Sequence, residues 1–143
     1  MERFETFSTL IAKINKNIRK IKAREMKEFE LKSSHVQYIY HLHKEKSLSL
    51  KQLSDMCIAD KAAVSRVIEE LQSFGYVEQS KSGRYKLLYS LTETGEEVAK
   101  KLSSRIVTVL EAVGHGLSDD ERIGFYKNLT EISENLQRIA DSI

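Results

Sequence analysis

Apolar residues recur at intervals of three and four through the first stretch of the chain: Phe4, Phe7, Leu10, Ile11, Ile14, Ile18 and Ile21. That spacing puts them on one side of a helix, which over about 22 residues would run about 33 Å. A stripe so long needs a partner helix, from the far end of the chain or from a second chain. Ser33 or Ser34 can cap a second helix carrying Val36, Ile39, Tyr40 and Leu42. After Lys44-Glu45-Lys46, Ser47 or Ser49 starts a short helix with Leu50, Leu53 and Met56 inward. Residues 57–60 read as a turn, and Asp60 caps the next helix, with Val64, Val67, Ile68, Leu71 and Phe74 on one face and Gly75 ending it.

The period then changes from 3.6 to 2. Tyr76-Val77-Glu78-Gln79-Ser80 alternates, Lys81-Ser82-Gly83-Arg84 reads as a turn, and Tyr85 to Leu91 is β-prone, so a hairpin is expected with Gly83 at a positive φ. Thr92 caps a helix to about Ala112, with Val98, Leu102, Ile106, Val109 and Val113 at helical spacing before Gly114 and Gly116. Ser118-Asp119-Asp120-Glu121 has the spacing of a capping box. It opens a last helix with a second stripe of Leu129, Ile132, Leu136, Ile139 and Ile143. The fold expected is mainly α with a small β-hairpin. Two short helices joined by a tight turn and followed by a hairpin outline a winged helix-turn-helix, flanked by long N- and C-terminal helices.

Composition narrows this further. The 143 residues hold no proline and six glycines, which suits long helices, and the length suits one domain spanning 1–143. The single cysteine, Cys57, excludes an internal disulfide and fits a reducing compartment. No apolar run approaches membrane-spanning length and the amino terminus lacks a signal-peptide core, so a soluble cytoplasmic protein without membrane partners is expected. The formal net charge of +2 is uninformative until it is divided. Residues 1–91 carry 17 basic and 11 acidic side chains, whereas residues 92–143 carry 6 basic and 10 acidic ones. Lys13, Lys16, Arg19, Lys20, Lys22 and Arg24 follow one another with no acid among them. Such a run fits either a solvated face or a surface for phosphates.

If residues 60–74 enter a major groove of double-stranded DNA, the face opposite the apolar one reads it. That face carries Lys61, Ala62, Ser65, Arg66 and Glu69. Arg66 can donate two hydrogen bonds to a guanine edge, Ser65 can bond a base or a phosphate, and Ala62 can touch a thymine methyl. Lys61 suits a phosphate. Glu69 either accepts from a cytosine or, the commoner arrangement, pairs with Arg66 one turn back. Lys81, Arg84 and Lys86 put positive charge on the hairpin, a probe for the minor groove or the backbone.

These residues resemble the MarR family of bacterial winged-helix transcriptional regulators. The resemblance spans nearly the whole chain and rests on Leu50-Lys51-Gln52-Leu53-Ser54, Val64-Ser65-Arg66-Val67-Ile68-Glu69-Glu70-Leu71, Phe74-Gly75-Tyr76-Val77-Glu78 and Ser90-Leu91-Thr92-Glu93-Thr94-Gly95. The last is similar to the Leu-Thr-x-x-Gly sequence that follows the family's second wing strand. The family's Asp-x-Arg wing signature is missing: Gly83 stands at the aspartate position and Tyr85 at the arginine position, with Arg84 one residue away. The resemblance implies a homodimer that binds a pseudo-palindromic operator, most often as a repressor. It implies a DNA-binding region over 33–92, dimerisation helices over 1–31 and 112–143, and a connecting helix over 93–113.

It also implies release by a small, commonly aromatic or anionic, effector. His35 and Tyr38 are the pocket candidates, although a half-buried core with solvated hydroxyls is the commoner place for such tyrosines. Cys57 sits in an apolar stretch where thiols are usually inert, and the histidines lack metal-ligand spacing, so neither a redox switch nor a metal is expected. No cofactor is expected. No glycine-rich phosphate loop, Cys-x-x-Cys pair, His-Glu-x-x-His helix or nucleophile elbow points to an enzyme. The alternative is a winged-helix protein–protein interaction module that does not bind DNA; retention of Lys61, Arg66, Lys81, Arg84 and Lys86 argues against it.

Overall fold

A computed structural model describes residues 1–84 and 86–143; Tyr85, and with it the wing position assigned to it above, lies outside the described residues. The order is helix α1 (Glu2–Met26), a 3-10 turn (Lys27–Phe29), a second such turn (Ser33–His35) running into α2 (Val36–Glu45), then α3 (Leu50–Cys57) and α4 (Lys61–Ser73). Strands β1 (Val77–Ser82) and β2 (Lys86–Leu91) follow, then α5 (Glu93–Val113) and α6 (Asp119–Asp141). This is the mainly α chain with a small hairpin that the periodicity called for.

The chain divides into two compact units, Met1–Arg105 and Ile106–Ile143. In the first, Leu42, Leu53, Val64, Ile68 and Leu71 are fully buried, and Val77, Tyr89 and Leu91 close the core from the hairpin. Val98, Ala99 and Leu102 of α5, Met26 at the end of α1, and Phe29 and Leu31 after it complete the core. Arg105 lies over the Phe29 ring, donates to the Glu25 carbonyl at 3.0 Å and pairs with Glu28. In the second unit, Ser118 and Glu121 form the expected capping box, and Arg122 donates to the Gly114 carbonyl at 3.0 Å.

Three local readings change. Tyr38, not Tyr40, faces the core: Leu42 lies one turn from Tyr38, while Tyr40 is about 200° away from both and half exposed. On α3 the buried position one turn after Leu53 is Cys57, and Met56 is 39% exposed. The hairpin strands continue to Ser82 opposite Lys86, so Lys81 and Ser82 belong to β1, and Gly83 follows directly at φ 72°. The hairpin is also not alone. Leu48 exchanges backbone hydrogen bonds with Tyr89 at 3.0 and 2.8 Å, so the α2–α3 connection acts as a one-residue third strand.

Candidate nucleic-acid interface

Helix α4 begins where Asp60 Oδ1 accepts the Ala63 N–H at 2.7 Å. It ends in a Schellman arrangement, with Gly75 N–H donating to the Gln72 carbonyl and Tyr76 N–H to that of Leu71. Between these ends Val64, Ile68 and Leu71 hold one face in the core. The opposite arc presents Lys61, Ala62, Arg66 and Glu69 to solvent with Ser65 half-buried, so the five residues expected on one surface do share it. Helical geometry spreads them: Lys61 and Ser65 lie towards one edge of the arc, and Arg66 lies at the other. There is no acid in the first turn, and Lys61 stands where the helix dipole disfavours a cation and welcomes an anion.

The expected Arg66–Glu69 pair does not form; among the described residues no ion pair involves either. Arg66 instead borders an open depression of about 400 Å³ shared with Tyr38, Cys57 and Glu70.

On the hairpin, Lys81 is opposite Leu87 and Lys86 opposite Ser82, and all three basic residues, Lys81, Arg84 and Lys86, are exposed. Side chains alternate along a strand, so Lys81 and Lys86 project from opposite faces, with Arg84 in the loop between. At the hairpin's base Thr92 Oγ1 donates to the Gly75 carbonyl at 2.6 Å and accepts the Gly95 N–H at 3.0 Å. Thr92 N–H donates to the Tyr76 carbonyl at 3.0 Å. A Cβ on Gly95 would come within 2.1 Å of that same Tyr76 oxygen, so no other residue fits there unless the backbone moves. The Leu-Thr-x-x-Gly sequence is thus the clamp that fixes α4, the hairpin and α5 to one another.

Beneath α4 lies a pair the sequence did not signal. His35 has no exposed surface; its Nδ1 accepts the Lys32 N–H at 3.0 Å, which leaves Nε2 to carry the proton donated to Glu70 Oε2 at 2.5 Å. Lys32 Nζ stands 3.6 Å from the other Glu70 oxygen, and the Phe74 ring meets His35 edge-on. The His35 hydrogen bond first, and Lys32 second, hold the Glu70 carboxyl below the usual carboxylate range. Both His35 nitrogens therefore have protein partners, and the residue works as a pin between the turn that precedes α2 and the last turn of α4. Tyr38, the other pocket candidate, is 2% exposed and lines the depression beside Arg66; burial raises its hydroxyl pKa. Burial pushes the Cys57 thiol up to about 11, so little thiolate exists near neutral pH. His43 Nδ1 lies 2.6 Å from Glu96 Oε2, binding α2 to α5. Among the described residues no three His, Cys, Asp or Glu side chains are grouped to hold a metal ion, and no helix is long and apolar enough to cross a membrane.

No protein-family model matches the chain. Among curated proteins it is 25% identical over 134 residues to the HTH-type transcriptional regulator BilQ of Clostridioides difficile (strain CD3), covering 92% of this chain and 90% of that one. Among solved structures, a MarR family transcription regulator superposes with a TM-score of 0.86 at 17% identity, covering 99% of this chain and 97% of its own. A MarR transcriptional regulator from Methanosarcina mazei Go1 gives 0.84 at 21% identity over 94% and 92% of the two chains. A MarR family regulator from Neisseria meningitidis gives 0.80 at 22% identity over 99% of each. The resemblance drawn from the sequence motifs holds in three dimensions: the chain has the winged-helix fold of these regulators from end to end.

Proposed function

We propose that the chain is a DNA-binding transcriptional regulator of the MarR type, acting in the cytoplasm as a homodimer on a pseudo-palindromic operator. The observation that carries this reading is the exposed arc of α4. An arginine without an ion-pair partner stands beside Ala62 and Ser65 on a helix capped at both ends and pinned from below, with three basic side chains on the hairpin that follows. Arg66 is the base reader, Lys61 the phosphate contact, and Lys81, Arg84 and Lys86 the contacts of the wing. The connecting role falls to residues 93–113 and the dimerising role to 1–31 and 112–143, whose apolar stripes supply the partner surface. Repression is the expected sign of regulation. A small effector would act from the depression at Tyr38, because the ring nitrogens of His35 are occupied.

The test is binding to fragments selected from random duplex DNA, measured by fluorescence anisotropy at several salt concentrations. A palindromic consensus and a steep fall of log Kobs with log salt are expected. Binding that is absent or flat with salt overturns the reading and leaves the protein–protein module in its place. Arg66→Ala should cost about 1–3 kcal/mol on the selected site and relax preference at one base pair of each half-site. An unchanged affinity removes Arg66 as the reader.

A further inference from the structure

We infer that Arg105 is a positioning residue for DNA recognition: it locks the joint at the base of α1 and so sets the operator spacing that a dimer accepts. The inference rests on the homodimeric DNA-binding reading above and adds to it what fixes the distance between two reading helices. From Glu2 to Lys20 every residue of α1 except Ile11 is exposed, and the helix enters the core only at Met26. The exposed part is an arm of about 30 Å that is held at one end and carries the apolar stripe meant for a second copy. A tilt of about 10° at the held end carries the far tip by about 5 Å, more than the spacing of about 3.4 Å between neighbouring base pairs.

The joint is tied from three directions. Arg105, on α5, donates to the Glu25 carbonyl at 3.0 Å, pairs with Glu28 and lies over the Phe29 ring, 5.2 Å from its centre. Glu25 is the next-to-last residue of α1, where carbonyls run out of helical partners and the helix dipole favours a cation. The Tyr76 hydroxyl donates to the Phe29 carbonyl at 3.4 Å, and the Tyr76 N–H closes the end of α4 on Leu71. A few residues on, His35 ties the same connection to Glu70. Between these ties Glu30 turns the chain at φ 58°, a left-handed conformation that a residue other than glycine keeps only where its surroundings hold it. The ties converge on Phe29, whose ring takes Arg105 from α5 and whose carbonyl takes Tyr76 from the end of α4. The tilt of the arm and the placing of α4 are thus fixed against each other at one residue. With a third of its side chain in solvent, Arg105 can be changed without opening a cavity in the core. One base pair added between half-sites moves them apart by about 3.4 Å and turns one against the other by about 34–36°. A locked joint refuses that shift, and a loose one follows it.

The experiment compares wild type, Arg105→Gln and Glu28→Gln by anisotropy on a selected palindrome, on the same palindrome with one base pair inserted or deleted at its centre, and on a single half-site. Wild type is expected to lose most of an avidity gain of about 10²–10⁴ on the two shifted fragments, while Arg105→Gln binds all three palindromes within about tenfold of one another. Glu28→Gln, an exposed change that leaves Arg105 its bond to the Glu25 carbonyl, is expected to fall between the two. Half-site affinity and the circular-dichroism spectrum stay those of wild type in both variants. Arg105→Gln with the wild-type spacing preference overturns the proposal. So does a loss that appears equally on the half-site, which would make Arg105 a support of the reading head alone. If Arg105→Gln fails to fold, Glu28→Gln decides by the same spacing test. A wild type that binds the palindromes with no preference among spacings overturns the proposal while DNA binding stands, and one that binds no duplex overturns both readings.

Discussion

A histidine with no exposed surface is stable only if each ring nitrogen has a partner, because an unsatisfied buried donor or acceptor costs about 1–3 kcal/mol. In His35 the accepting role of Nδ1 fixes the proton on Nε2, and that proton fixes Glu70. The carboxyl of Glu70 is held low in the folded state, so the ionised carboxylate adds stability above the ordinary carboxylate value of 4.5 and loses it as pH falls through the lower folded value. Glu70→Gln should therefore melt below wild type at pH 7, with the gap narrowing once the pH drops under about 4.5. Circular-dichroism melts from pH 7 to pH 3 would show it, and a gap constant across that range would remove the charge from the account. A second residue carries strain without visible return. Ile58 holds φ 49° in the tight turn between α3 and α4 with 90% of its surface exposed. A β-branched residue in the left-handed region costs about 1–2 kcal/mol, partly offset by the chain entropy a glycine would add, so Ile58→Gly should stabilise the fold by roughly 0.5–1 kcal/mol. Urea titration measures this, and a lower midpoint would mean the side chain holds the turn in place.

Elements meet at a few backbone atoms, and the Tyr76 carbonyl is the most crowded of them. It accepts the Thr92 N–H and lies where a Gly95 Cβ would stand. Gly95→Ala must displace backbone against backbone, so it should cost more than the about 1–3 kcal/mol of an ordinary overpacked side chain and loosen the hairpin before the helices. Hydrogen exchange at β1 and β2, with the amides of α2 and α3 as reference, would register that order; uniform loosening would count against it. The same scale explains what was legible beforehand. Asp60 and Ser118, and Ser49 as one of two choices with Ser47, were readable as caps because a cap is a local event between a side chain and an N–H three residues on. Thr92 and Gly95 were readable as a motif, although not the carbonyl that gives the motif its reason. The Leu48–Tyr89 bridge and the His35–Glu70 pin join residues dozens of positions apart through one or two atoms, and neither periodicity nor composition records such contacts. The reading arc of α4 followed from its apolar face. The freedom of Arg66 did not, since it depends on how side chains settle after folding.

For the molecule as a whole, the unsolved quantity is exposed apolar surface. Along α1, Phe4, Leu10, Ile14 and Ile18 are 69, 52, 49 and 42% exposed, and along α6, Leu136 and Ile139 are 51 and 59% exposed. Isolated apolar side chains on a surface need no explanation, but stripes of this length on helices with polar opposite faces mark an interface. In the proposed homodimer a second copy would cover them: each stripe is self-complementary in kind, and two-fold symmetry would give two α4 helices for two half-sites about 34 Å apart. Linking two reading heads turns the second contact into an intramolecular one, which raises apparent affinity by about 10²–10⁴ without any new base contact. Replacing Leu10 and Ile14 together by Glu puts two charges into the middle of the α1 stripe and leaves the core of the first unit untouched, because both side chains point to solvent in the single chain. Sedimentation should then show a folded monomer where the proposed function expects a wild-type dimer. Affinity for a palindromic fragment should fall by about that same 10²–10⁴, while binding to a half-site fragment changes little. A variant that stays dimeric, or one that loses half-site binding equally, would move the interface off α1 and return the basic run from Lys13 to Arg24 to the list of surfaces that need a partner.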